Sequence, residues 1–262
     1  MTQKKSAVTG LVLSIGEPTT ARAIESLRAQ TFPCEDIVLI ENVSPFHAAM
    51  NAGITRISSP LFIQCDADMI VDPDCVETLL SHFHDDVGVA IGYLEDAILG
   101  QVQAIKMFRT ECFKALKFFN HISPDTNIIY QIVRNGWNFV FAERSETRFG
   151  HPRHVLGKHD PDYTPLYTFN KFKLVGARMR ERGVFAEFLD AHKKLAQNTH
   201  PMAMTAIIGL CHGIFLQNEK DGLHPFKMDR DFKLLDRYMN STNQAADFIM
   251  TSLEKESAVS SR

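Results

Sequence analysis

Through the first half of the chain, short unbroken apolar runs alternate with apolar residues spaced three and four apart. Residues 8–15 read as a buried strand closed by Gly16-Glu17-Pro18, with Thr19 and Thr20 as caps for a helix that carries Ala21, Ile24 and Leu27 at helical spacing. Residues 37–40 form a second strand without polar interruption, the pattern of a parallel strand covered on both faces, and it runs into Glu41-Asn42-Val43-Ser44. Ser44-Pro45 starts a helix with Phe46, Ala49, Met50, Ile54 and Ile57 on one side. Leu61, Phe62, Ile63 and Cys65 mark a third strand ending in Asp66-Ala67-Asp68. Asp72 and Pro73 then read as N-cap and first residue of a helix bearing Val76, Leu79, Leu80 and Phe83 on one face. Three successive strand and helix units predict a Rossmann-like α/β fold with a mostly parallel sheet flanked by helices.

Further strands are expected over 87–93, 103–108 and 138–142. A helix lies between the last two, starting at Ser123-Pro124-Asp125 and closed by Gly136. From 144 to 167 no hydrophobic period survives. That stretch holds His151, His154 and His159 and reads as a loop of functional length over a site. Helical patterns return over 169–182, 184–196, 201–217 and 230–253. The expected division is an α/β domain over 1–155 and a loop with a C-terminal helical appendage over 156–262.

Composition narrows this picture. A chain of 262 residues that is 45% hydrophobic can bury a core as one large domain, or one domain with an appendage. A net charge of −3 gives no field directed at nucleic acid. The five cysteines lack C-x-x-C spacing, which favours reduced thiols and a cytoplasmic location over a disulfide framework. The N-terminal apolar stretch is too short and interrupted for a signal peptide, and no run reaches the length of a spanning helix. The apolar run 202–216 has two readings: a buried helix, or a homodimer contact or peripheral docking on a membrane beside a lipid-linked acceptor.

The candidate chemistry centres on Asp66 and Asp68. Two carboxylates two residues apart at the C-terminal end of a strand can face one small volume outside the sheet edge, where open α/β sheets bind ligands. A hard divalent cation carrying phosphate is the natural partner there. The competing explanation is a solvated turn whose aspartates cap the next helix.

The order of these pieces resembles the GT-A glycosyltransferases of the inverting family 2 type. The series is VLSIGEPTTARAIESLRAQTF at the start, LIENVS at the end of the second strand, Asn51-Ala52-Gly53 in the following helix, then the D-x-D of Asp66-Ala67-Asp68. Phe108-Arg109, Pro124-Asp125, Asn135-Gly136-Trp137 and His151 occupy later places of the same series. The departures are Glu41-Asn42 where the family has paired aspartates, and Pro124 where it has a glutamate.

The resemblance implies a nucleoside-diphosphate sugar as donor, a UDP-sugar first among them, and a glycan, lipid-linked or protein hydroxyl as acceptor, with Mn2+ or Mg2+ as cofactor. It implies that Asp68 ligates the metal and that Asp66 reaches the ribose or a metal-bound water. His151 completes the metal shell, with the choice among the three histidines open. Ser14, Gly16, Glu17, Glu41 and Asn42 shape the nucleoside pocket, and Arg109 answers the diphosphate or the acceptor. Asp125 is the base, although an acid in the first turn of a helix is also favoured by the helix dipole alone. Two other classes fit less well. A nucleotidyltransferase would open with a glycine-rich phosphate loop that residues 14–20 lack, and a silent nucleotide-binding module would bind without turnover.

Overall fold

Seven consecutive buried residues form β1 (Val8–Ser14), with β2 (Asp36–Glu41) on one side and β3 (Leu61–Asp66) on the other, both parallel to it. The computed structural model describes residues 7–142 and 155–215. It divides the chain into two compact units, Met1–Asp162 and Tyr163–Arg262.

In the first unit the remaining strands are β4 (Met69–Val71), β5 (Val87–Asp96), β6 (Gly100–Arg109), β7 (Asn138–Phe141) and β8 (Val155–His159). The sheet order is β2-β1-β3-β6-β5-β8-β4, and β7 also pairs with β5. The sheet is mixed where the sequence predicts a mostly parallel one. β5 and β6 are joined by a tight hairpin, so β6 must run antiparallel, and it lies antiparallel to β3 as well.

The two faces of the sheet carry separate cores. Val8, Val12, Leu61, Ile63 and Cys65 pack with Leu27 of α1 (Thr20–Arg28) and with Val76 and Leu79 of α3 (Cys75–Ser81). Leu11, Leu13, Phe62 and Phe108 pack with Met50 of α2 (Phe46–Ile54) and with Ile128 and Ile132 of α4 (Pro124–Arg134). Side chains alternate along a strand, so Gln64 and Asp66 continue the row of Phe62 on the α4 face, apolar at its base and acidic at its end.

The Asn-x-Gly segment of α2 is structural. Asn51 Nδ2 donates to Phe118 O at 2.9 Å and its Oδ1 accepts from Phe118 N at 3.0 Å, which pins the segment before α4. Gly53 lets α2 approach β1, since a Cβ there would overlap the Leu11 side chain.

Two expectations are corrected. Residues 69–71 form a strand, and the next helix starts at Cys75 behind Asp74 rather than at Pro73 behind Asp72. Asp72 is occupied otherwise: its N–H donates to Leu156 O, and its C=O accepts from Gln30 Nε2. The stretch read as a loop contains β8, which pairs antiparallel with β4 and parallel with β5. The helix expected over 230–253 lies outside the described residues.

The second unit contains α5 (Pro165–Arg182), α6 (Phe185–Ala196) and α7 (Ala203–Phe215). Thr164 caps α5 by accepting from Tyr167 N, Pro165 fills its first turn, and Gly183 at φ 67° ends it. α7 packs closely on α5. A Cβ at Gly176 would collide with Leu210 O, and one at Gly213 with Lys173 O. Over 203–214 only Met204 is exposed, so the apolar run forms a buried helix. Among the described residues no helix is long and apolar enough to cross a membrane.

Candidate active site

The parallel register of β1, β2 and β3 gathers their C-terminal ends: Ser14 pairs with Glu41, and Leu13 with Asp66. The loop after β1 is closed on itself. Glu17 accepts from Ser14 Oγ at 2.9 Å and from Ile15 N at 2.7 Å, and Gly16 N donates to Ser14 Oγ at 3.1 Å. Gly16 holds φ 96°, a conformation that side chains disfavour. Asn42, at φ 57°, donates its N–H to Ser14 O at 2.8 Å. Ser14, Gly16, Glu17, Glu41 and Asn42 thus share one edge, with Glu41 and Asn42 exposed.

Asp66 ends β3, and Asp68 lies in the turn that leads into β4. The turn is anchored at both ends, by Ala67 N to Leu13 O at 2.9 Å and by Asp160 N to Asp68 O at 2.7 Å. Met69 pairs with His159, the last residue of β8, and this register brings His159 Nε2 to 3.2 Å from Asp68 Oδ2. The other ring nitrogen, Nδ1, lies 2.6 Å from Asp96 Oδ2. Among the described residues, His159 is the histidine placed at Asp68. His151 and His154 lie outside the described residues.

Across the strand pair, Gln64 of β3 faces Lys106 of β6. Gln64 Nε2 donates to Asp66 Oδ1 at 2.8 Å. Lys106 is buried, and its ammonium donates to Ala104 O and to Asp125 Oδ2, both at 3.0 Å. Asp125, in the first turn of α4, keeps a covered Oδ1 without a hydrogen-bond partner among the described residues, as does Gln64 Oε1. Buried acceptors in that condition mark places where a donor is missing. Burial, then the neighbouring Asp68, pushes the Asp66 carboxyl up to about 7; the Gln64 hydrogen bond opposes this, and Asp125 adds to it.

Arg109 does not join this cluster. It pairs with Leu61, at the opposite end of β3 from Asp66, five residues or about 16 Å along the strand. Its guanidinium donates to Val87 O at 2.9 Å and His84 O at 2.7 Å and covers the Trp137 ring. These contacts serve the fold, and none of them joins Arg109 to the other residues expected to bind the donor.

Sequence reasoning missed Lys106, Gln64 and Asp96. The signal for the first two was a polar residue interrupting an otherwise apolar strand.

The family model described as "Glycosyl transferase family 2" matches residues 16–175. The chain belongs to this family. It is a glycosyltransferase, which decides between that reading and a nucleotidyltransferase. Among solved structures, a mannosyltransferase from Pyrobaculum calidifontis, in complex with GDP-Man and Mn2+, is similar at TM-score 0.52 and 13% identity, over 82% of this chain and 77% of that one. Glucosyl-3-phosphoglycerate synthase from Mycobacterium tuberculosis, with Mg2+ and UDP, is similar at TM-score 0.45 and 11% identity, over 67% and 79%. TarS residues 1–349 from S. aureus is similar at TM-score 0.41 and 10% identity, over 80% and 72%. No curated protein sequence matches the chain. This family 2 chain shares the GT-A fold of the mannosyltransferase, and in this chain Asp66 ends the third strand with Asp68 in the turn after it.

Proposed function

We propose that this enzyme moves a sugar from a nucleoside-diphosphate sugar, a UDP-sugar first among them, to a hydroxyl of a glycan, lipid-linked or protein acceptor, with inversion at the anomeric carbon. The observation that carries this reading is the carboxylate and imidazole pair, Asp68 Oδ2 and His159 Nε2, 3.2 Å apart at the strand ends beside Asp66. One oxygen and one nitrogen donor that close can share a single divalent ion, and Mn2+ accepts both types. The complex of the Pyrobaculum mannosyltransferase with GDP-Man and Mn2+ supports the donor class and the ion. A bound ion would offset the charge that develops on the departing diphosphate.

This chain's own residues supply the rest. The preformed loop of Ser14, Gly16 and Glu17, with Glu41 and Asn42, receives the nucleoside. Asp66 reaches the ribose or a metal-bound water. Asp125 is the base: Lys106 holds Oδ2, and Oδ1 takes the acceptor's proton as the hydroxyl attacks from the face opposite the leaving group.

The test is thermal denaturation of the wild type and Asp68→Ala with UDP, GDP, dTDP or CMP, each with Mn2+, Mg2+ or EDTA. One nucleotide should stabilise the wild type in a metal-dependent way, by about 2.7 kcal/mol at a hundredfold excess over Kd, and the variant should lose the effect. No stabilisation by any nucleotide, or an equal response in Asp68→Ala, rejects the reading.

A further inference from the structure

Asp96 is the only aspartate or glutamate among the buried residues of the described chain, at 1% exposure. It ends β5, opposite His159 in the parallel pairing of β5 and β8. Its two oxygens have divided duties. Oδ1 accepts from Ile98 N and Leu99 N, both at 2.8 Å, in the hairpin turn. Oδ2 faces His159 Nδ1 at 2.6 Å. The backbone of His159 is held between β4 and β5, and its ring lies between two carboxylates, Asp96 on the Nδ1 side and Asp68 on the Nε2 side.

We propose that Asp96 is a positioning residue of the active site, one that fixes the His159 ring and keeps a proton on Nδ1, so that Nε2, the nitrogen beside Asp68, is the one left to take an ion. The proposal rests on the reading of Asp68 and His159 as the pair that holds the divalent ion. A carboxylate offers only acceptor atoms, so a 2.6 Å contact to Nδ1 requires Nδ1 to be the donor. Partners of this kind orient a ligating imidazole, and removing them costs metal affinity. The hairpin makes the requirement stricter. In Asp96→Asn the amide oxygen is claimed by Ile98 N and Leu99 N, which leaves the amide NH2 facing Nδ1. Nδ1 must then accept, the ring proton moves to Nε2, and the nitrogen facing Asp68 is closed to an ion. A near-isosteric change, with the hairpin bonds retained, therefore inverts the ring.

The experiment uses the full chain labelled with 15N-histidine, in EDTA at alkaline pH, with His159 assigned by comparison with His159→Ala. Long-range 1H–15N correlations report which ring nitrogen carries the proton, and paramagnetic titration of Mn2+, alone and with UDP or GDP, reports affinity. The expected result is the Nδ1–H form in the wild type, the Nε2–H form in Asp96→Asn, and Mn2+ affinity about 10- to 100-fold weaker in the variant. An Nε2–H ring in the wild type overturns the proposal, and that measurement needs no variant to fold. Unchanged Mn2+ affinity in a folded Asp96→Asn overturns it as well, and leaves the Asp68–His159 pair intact if His159→Ala loses Mn2+. A wild type that binds no Mn2+, with or without a diphosphate, rejects the ion-binding reading and the proposal together.

Discussion

Lys106 and Asp125 meet across the α4 face of the sheet, ammonium to Oδ2 at 3.0 Å, with the lysine side chain 5% exposed and the aspartate 40% exposed. The lysine belongs to a strand and is fixed by burial. The aspartate belongs to the first turn of a helix and would otherwise choose among rotamers. If Lys106 acts through Asp125, the two residues are one unit, and their substitutions cannot add. Asp125→Asn should lower kcat by about 10² to 10⁴, the range for loss of a general base, and Lys106→Met by about tenfold. The double variant should be no slower than Asp125→Asn alone, in an assay of nucleoside diphosphate release with the donor that thermal denaturation selects. Additive losses would separate the two residues.

Asp66 carries a pH dependence whose sign follows from the direction of its shift. In the folded protein its carboxyl is pushed up to about 7, whereas an aspartate in the unfolded chain titrates near 4. Between roughly pH 4 and 7 the folded state therefore binds more protons at this site. Stability from this group is complete below the unfolded value and is lost as pH rises through the folded one. Urea denaturation in EDTA should show the wild type losing stability relative to Asp66→Asn as pH rises across that window, with the difference flat above it. A difference that does not change with pH would show that Asp66 titrates normally.

The parts that the sequence made legible are those that bury side chains on a regular period. β1, β2 and β3 are mostly apolar runs, broken in β3 by Gln64, and a run of that kind has few alternatives to a strand. The acidic ends of β2 and β3 were visible because polarity changes abruptly where a strand leaves the core. β8 was not legible. Its five residues, VLGKH, show no clean alternation, and they are strand only because β4 and β5 offer backbone partners brought from distant parts of the chain. His159 went unresolved among three histidines for the same reason. Lys106 looks like any surface lysine until the register places it opposite Gln64, and Arg109 looks like a site residue until the same register places it opposite Leu61.

That placement makes Arg109 a discriminating control. Arg109→Ala removes donors to the carbonyls of Val87 and His84 and the cation above Trp137, so stability should fall by about 1 to 3 kcal/mol in urea denaturation. The rise in melting temperature produced by nucleotide and metal should be the same as in the wild type. Loss of that rise in a folded Arg109→Ala would return the arginine to the donor site.

Gly157 is the backbone condition for placing His159. It sits in β8 two residues before the histidine, at φ 143°, and a Cβ there would fall on the carbonyl oxygen of Ile70 and against Val71 Cα. Ala at this position must open the pairing of β8 with β4, the same pairing that sets Met69 beside His159. Gly136 provides the comparison, since it also has positive φ, at 87°, but nothing lies within 4 Å of a Cβ there. Gly136→Ala carries only backbone strain, roughly 1 to 2 kcal/mol, and it lies next to the start of β5, at the opposite end of that strand from Asp96, so Mn2+ binding should stay as in the wild type. Gly157→Ala adds the steric conflict, so it should lose more stability than Gly136→Ala and lose Mn2+ binding as well. Denaturation in EDTA measures the first difference, and paramagnetic titration of Mn2+ the second. If Gly157→Ala binds Mn2+ as tightly as Gly136→Ala, the β4–β8 register is not what brings the imidazole to Asp68.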